Sequence, residues 1–150
     1  MPGIPYQPLP ACPAIPAIPV VPAHWRFPAD PASVRRARQA VAEALPRDCR
    51  PQLGDELGLV TSELVTNALR HGARPEREEL VELVLWAADG HCWIAVSDPG
   101  TGKPALADPG LDACGGRGLV LVDALAAAWA VVPRPTRGKS VVAGLPLHGA

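Results

Sequence analysis

Three short stretches of this chain carry residues whose types and spacing could do chemistry. In LVTSELVTNALRHG, residues 59–72, Glu63 and Asn67 stand four apart. On a helix that spacing stacks both side chains on one face, one turn apart. Asn supplies a neutral oxygen that suits a hard cation such as Mg²⁺ held mainly by phosphates and water. Glu can orient or deprotonate a nucleophile near a terminal phosphate. In SDPGTG, residues 97–102, Asp98 precedes Gly100 and Gly102. A carboxylate there can accept a hydrogen bond from an exocyclic amine such as that of adenine, and the glycines let the backbone approach a flat ligand. In the third stretch, Gly116-Arg117-Gly118 leads into LVLVDALAAAW. Glycines ahead of a helix expose its first amides, where the helix dipole also favours an anion.

Each stretch also has a plain structural reading. Glu and Asn one turn apart are a common surface pair. Asp-Pro-Gly is a common turn, and paired glycines can be a flexible joint. The glycine cluster is neither a P-loop nor the dinucleotide fingerprint, because the Lys-Ser/Thr pair and the leading strand are missing. Taken together, the three offer a base-recognising acid, a phosphate cradle, and a metal ligand beside a catalytic carboxylate.

Several elements must position these groups. Leu57, Val60, Leu64 and Ala68 form an apolar stripe that places Glu63 and Asn67 on a helix. It starts near Leu53, is weakened by Gly54 and Gly58, and stops at Gly72. Upstream, His24 to Ala29 reads as an edge strand, since Pro28 has no amide to donate. Asp30-Pro31 then starts a helix to Leu45, with Val34, Ala37, Val41, Ala44 and Leu45 buried and Arg35, Arg36 and Arg38 in solvent. Downstream, Leu80 to Ala87 and His91 to Ser97 are strands joined by Asp89-Gly90, a hairpin turn pair. In the second, Cys92, Ile94 and Val96 face one way, and Trp93 and Ala95 the other. The last helix follows Gly118, with Leu119, Val122, Leu125, Ala126 and Trp129 on its apolar side. Strands at 129–132 and 140–147 end the chain. This order predicts an α+β two-layer sandwich, with one mixed, mostly antiparallel sheet and three helices on one face.

The 150 residues suit one domain with a proper core. A net charge of −1 and a pI near 6.4 argue against direct nucleic-acid binding. No apolar run reaches the roughly 18 residues that span a bilayer, and the N-terminus lacks the basic start of a signal peptide. The expected compartment is cytoplasmic, with no membrane partner. Cys12, Cys49, Cys92 and Cys114 form no CxxC pair, which disfavours a structural zinc site. Cys92 reads as a small buried hydrophobe, and Cys114 could be exposed in its loop. Residues 1–22 carry Pro10, Pro13, Pro16, Pro19 and Pro22 at every third position, the period of polyproline II. They read as a disordered tail ahead of a domain at 23–150, or as a docking segment for an aromatic groove.

ELVTNALRHG, VSDPGTGKP and GGRGLVLVDALAAAW resemble the asparagine box and two glycine boxes of the Bergerat-fold ATP-binding superfamily. That superfamily includes histidine kinases, gyrase-type ATPases and the anti-sigma-factor serine kinases. The SELVTNALRHG wording is most similar to the last group, small ATP-binding regulators common in actinobacteria. The resemblance covers Trp25 to Leu147 and implies a Bergerat fold. It further implies that Asn67 holds Mg²⁺, Glu63 is the general base, and Asp98 binds the adenine amine. Gly100 and Gly102 would shape the pocket floor, while Gly116, Arg117 and Gly118 line the phosphates. Ser140 in GKSVV would place a hydroxyl near adenine, and Lys103 to Cys114 would be a lid over ATP. The implied partners are a sigma factor and an anti-anti-sigma-type antagonist, and a homodimer is compatible with the likeness. The proline tail, a lid poor in cations, and Ala130 in place of a common Gly depart from the pattern. The leading expectation is a serine/threonine protein kinase. The alternative is a non-catalytic, ATP-dependent binding switch. A histidine-kinase fragment fits less well, without a helix pair bearing a phosphoacceptor His, and His71 reads as a local structural residue.

Overall fold

Alternation along the strands decides which residues meet the helices and which face away. The computed structural model describes residues 22–100, 113–135 and 137–149, with the backbone alone at 113–118. The proline-rich stretch before residue 22 and most of the expected lid, with Gly102, Lys103, Cys12 and the side chains of Cys114 and Arg117, lie outside the described residues.

The chain forms β1 (Ala23–Pro28), α1 (Ala32–Ala44), α2 (Leu53–His71), β2 (Leu80–Ala88), β3 (His91–Asp98), α3 (Ala113–Leu125), β4 (Ala128–Pro133) and β5 (Lys139–Pro146). The strands lie in the order β1-β2-β3-β5-β4. All four pairings are antiparallel, so the α+β sandwich is as expected while the sheet holds no parallel neighbours. Asp89 and Gly90, with φ of 54° and 75°, make the tight turn between β2 and β3.

One face of the sheet packs on the helices. It presents Val81, Leu83 and Leu85 of β2, Cys92, Ile94 and Val96 of β3, and Val141, Ala143 and Leu145 of β5. Against them α2 sets Leu53, Leu57, Val60, Leu64 and Ala68, all buried. Each such leucine contributes about 1.5–3 kcal/mol on burial. This row fixes α2 about its axis and so decides where its polar residues point.

In α1 the buried row runs Ser33, Ala37, Val41, with Leu45 packed beside it. Steps of four leave Ala44 exposed, against expectation. Ser33, unforeseen in the core, is satisfied by donating to the Pro28 carbonyl at 2.7 Å. Asp30 accepts from the Ala32 amide at 2.8 Å, the expected cap. Arg35, Arg36 and Arg38 are exposed as expected.

Two readings of the last helix change. The backbone is already helical at Ala113, so Gly116-Arg117-Gly118 lies inside α3 rather than before it. Glycine costs about 1 kcal/mol in a helix, but Leu119 and Val122, both fully buried, anchor this one to the core. Trp129 belongs to β4, not the helix. It still packs on the helix side, and its indole Nε1 donates to Asp123 at 2.7 Å. No described helix is long and apolar enough to cross a membrane.

The opposite face carries a smaller cluster of Trp86, Trp93, Ala95, Ala128 and Val142. Trp86 and Trp93 stack with centroids 6.4 Å apart. Gly144 leaves room for the Trp93 ring, which a Cβ there would approach to 2.6 Å. A polar row crosses the same face. Arg26 donates to Glu82 at 3.0 Å, Arg134 reaches Glu82 at 2.9 Å, and the Ser97 and Ser140 hydroxyls are 2.6 Å apart.

Burial opposes ionisation of Glu82, but the hydrogen bond from Arg26 and the charge of Arg134 outweigh it and hold its carboxyl below the usual range. A lowered folded value stabilises the fold above the unfolded value, near 4.5, and loses that stability as pH falls through the folded value. Glu82→Gln should lower stability at pH 7 by about 1 kcal/mol and flatten its acid decline, measured by thermal unfolding between pH 7 and 3. Burial also pushes the Cys92 thiol up to about 12, with Cys49 adding to the shift. Cys92 should therefore resist thiol reagents at pH 8 until the protein is unfolded, as mass spectrometry after timed labelling would show.

Candidate nucleotide-binding site

Asp98 is the last residue of β3 and lies on the helix side, in step with Cys92, Ile94 and Val96. It is 2% exposed. Its cross-strand partner on β5 is Lys139, 5% exposed, whose Nζ lies 3.1 Å from Oδ2 and 3.2 Å from Oδ1. The Gly100 amide also donates to Oδ1, at 2.9 Å. The turn after the strand is thus wound around its own carboxylate.

Three glycines close on this group. Gly72, the cap of α2, lies against the carboxylate so tightly that a Cβ there would overlap its carbon and both oxygens. Gly100 packs on the Gly72 backbone, where a Cβ would sit 2.5 Å from Gly72 Cα. Gly138, at a φ of 86°, passes the Asp98 carbonyl with no space for a side chain. Gly72 read in sequence only as a helix stop. Its second role, bringing the end of α2 onto Asp98, depends on a contact across 26 residues of chain and left no local signal.

Asn67 lies one turn before that cap. It is 6% exposed, and its Oδ1 has no hydrogen-bond partner among the described residues. His71 Nε2, one turn further along the same row, is also buried without a partner. Glu63 precedes Asn67 by a turn and is partly exposed. A buried polar atom without a hydrogen-bond partner costs about 1–3 kcal/mol, so an amide oxygen and an imidazole nitrogen in one row point to a ligand that completes them. Among the described residues no group of three or more His, Cys, Asp or Glu could hold a metal ion alone. A cation at Asn67 would therefore need oxygens from a ligand, and the Asn67 donor fits Mg²⁺ carried on phosphates.

Ser140 is not part of this cluster. Asp98 pairs with Lys139 on the helix side, so the adjacent pair, Ser97 and Ser140, faces the other way. The Ser140 hydroxyl is engaged with Ser97 on the outer face. The side chain beside Asp98 is that of Lys139. Counting back by twos from Val141, Ala143 and Leu145 turns Lys139 inward. Gly116 and Gly118 sit in the first turns of α3, so the free amides at its start belong to residues nearer Ala113. A cavity of about 720 Å³ lies between α1 and α2, beside Arg38 and Leu59, and none of the residues given a chemical role lines it.

The geometry therefore unites an acid on a glycine-rich turn with a helix row carrying Asn67 and His71, whose buried polar atoms have no partner among the described residues. A family model for the histidine kinase-like ATPase domain matches residues 27–143, from β1 into β5, with every one of these residues inside the match. The chain belongs to the histidine kinase-like ATPase domain family. No curated protein matches it. As a domain of this family it is an ATP-binding domain, and the match begins beyond the proline-rich stretch.

The contact between Gly72 and Asp98 makes a sharp test. Gly72→Ala should displace the carboxylate, lower stability by about 1–3 kcal/mol and weaken ATP binding at least tenfold. Gly54→Ala, whose Cβ meets nothing closer than 3.8 Å, should leave ATP affinity unchanged and raise stability by up to about 1 kcal/mol. Calorimetric titration and thermal unfolding of the two variants distinguish the cases.

Proposed function

We propose that this ATPase domain is a serine/threonine protein kinase of the anti-sigma type, acting on an anti-anti-sigma-type antagonist and controlling a sigma factor or similar partner. The observation that carries the reading is Asn67 Oδ1, buried and without a partner among the described residues, one turn from Glu63. Asp98 would receive the 6-amino group of adenine, and Asn67 would hold Mg²⁺. The ion would neutralise charge on the phosphates when bound. Glu63 would accept the proton of a Ser or Thr hydroxyl on the antagonist. That oxygen forms a bond to the γ-phosphorus, the bond to the bridging oxygen breaks, and ADP leaves.

The phosphate loop would come from the first turns of α3 with Gly116, Arg117 and Gly118, and from Gly102 in the preceding segment. Cytoplasmic action and a homodimer go with this reading. The choice of partner rests on the SELVTNALRHG wording alone.

Incubating the protein with γ-labelled ATP and a candidate antagonist tests it. Transfer to a Ser or Thr is expected, with Glu63→Gln reducing the rate about 10²–10⁴-fold at nearly unchanged ATP affinity. Asn67→Ala should weaken the dependence of ATP binding on Mg²⁺. Undiminished transfer by Glu63→Gln would remove the general-base assignment. Tight ATP binding with no transfer to any antagonist would instead favour the ATP-dependent binding switch.

A further inference from the structure

We propose that Lys139 is a base-reading residue: its ammonium donates to N1 of the purine while Asp98 accepts from the 6-amino group. This rests on the ATP-binding reading above and adds to it a specificity determinant.

Hydrogen-bonding capacity left on the two groups decides what they can recognise. A carboxylate offers about four acceptor directions and an ammonium three donors. Among the described residues Asp98 Oδ1 receives the Gly100 amide and Lys139, while Oδ2 has the Lys139 ammonium 3.1 Å away. Lys139 donates to Oδ1 and lies at ion-pair distance from Oδ2. Among the described residues, acceptor capacity on Oδ2 and donor capacity on Nζ remain, and these atoms are 3.1 Å apart. A donor beside an acceptor complements the adenine edge, where N1 accepts and the 6-amino group donates. A guanine edge presents O6, N1–H and the 2-amino group, so one of its donors would go unpaired against this pair. In a site this enclosed, that costs about 1–3 kcal/mol.

Burial sharpens the point. An ammonium withdrawn from water is held only by good partners, and among the described residues those of Lys139 are the two oxygens of Asp98. The ion pair thus sets the rotamer of both groups before the base arrives. Ser140, the hydroxyl the sequence offered for this task, faces the other side of the sheet. Lys139 is then the side chain from β5 in position to serve it.

The test is calorimetric titration of the full-length chain with ATP, with 1-deaza-ATP, in which N1 is a C–H, and with GTP. Wild type should bind 1-deaza-ATP and GTP at least tenfold more weakly than ATP. Lys139→Met should bind ATP more weakly and no longer distinguish ATP from 1-deaza-ATP. Should Lys139→Met fail to fold, Lys139→Gln keeps a neutral donor and should retain part of the preference. Equal binding of ATP and 1-deaza-ATP by wild type, or an unchanged preference in Lys139→Met, would overturn the proposal. Lys139 would then be a counter-ion only, and the ATP-binding reading would stand. Binding of none of the three nucleotides would overturn the ATP-binding reading itself.

Discussion

A carboxylate and an ammonium buried together at the end of two paired strands organise this molecule's functional end. Withdrawing either charge from water is expensive. Asp98 and Lys139 answer that cost mutually, with the Gly100 amide as a third partner. Everything around them is shaped by the need to come close. Glycine stands at 72, 100 and 138 because a side chain at any of the three would collide with the Asp98 turn or with the cap of α2. The pair also ties secondary structure together, since it joins β3 to β5 while the end of α2 seats on Asp98.

The second constraint is the apolar row of α2. Leu53, Leu57, Val60, Leu64 and Ala68 are buried against the sheet, which leaves the helix no rotational freedom. Glu63, Asn67 and His71 are placed by that packing, not by bonds of their own. The fold supplies enough hydrophobic burial to tolerate two polar atoms in the row, at Asn67 and His71, that have no partner among the described residues. Local disagreement of this kind, sustained by a consistent core, marks functional positions more often than structural ones.

Much of this was legible in the residues. Period-two alternation assigned the faces of β3 correctly, and the Asp89-Gly90 pair marked the hairpin. The stripe of α2 identified the helix that carries Glu63 and Asn67. What escaped was tertiary. The inward direction of Lys139 follows from a register one residue away from the hydroxyl that local resemblance favoured. The helical start at Ala113 reflects anchoring by Leu119 and Val122, which overrides the low helix propensity of the glycines. Trp129 sits on the apolar side of α3 by periodicity, yet it reaches the same core from β4 because the helix stops four residues earlier. Gly72 has two roles, and only the local one can be read without the partner strand.

The central claim is that Asp98, set in this buried arrangement, anchors the adenine of ATP. Titrating Mg-ATP into the wild-type chain and into Asp98→Asn, with the fold of each checked by circular dichroism, measures it most directly. The account predicts saturable binding by wild type and loss of at least tenfold in affinity for a folded Asp98→Asn. Equal affinity in the two folded proteins would contradict it.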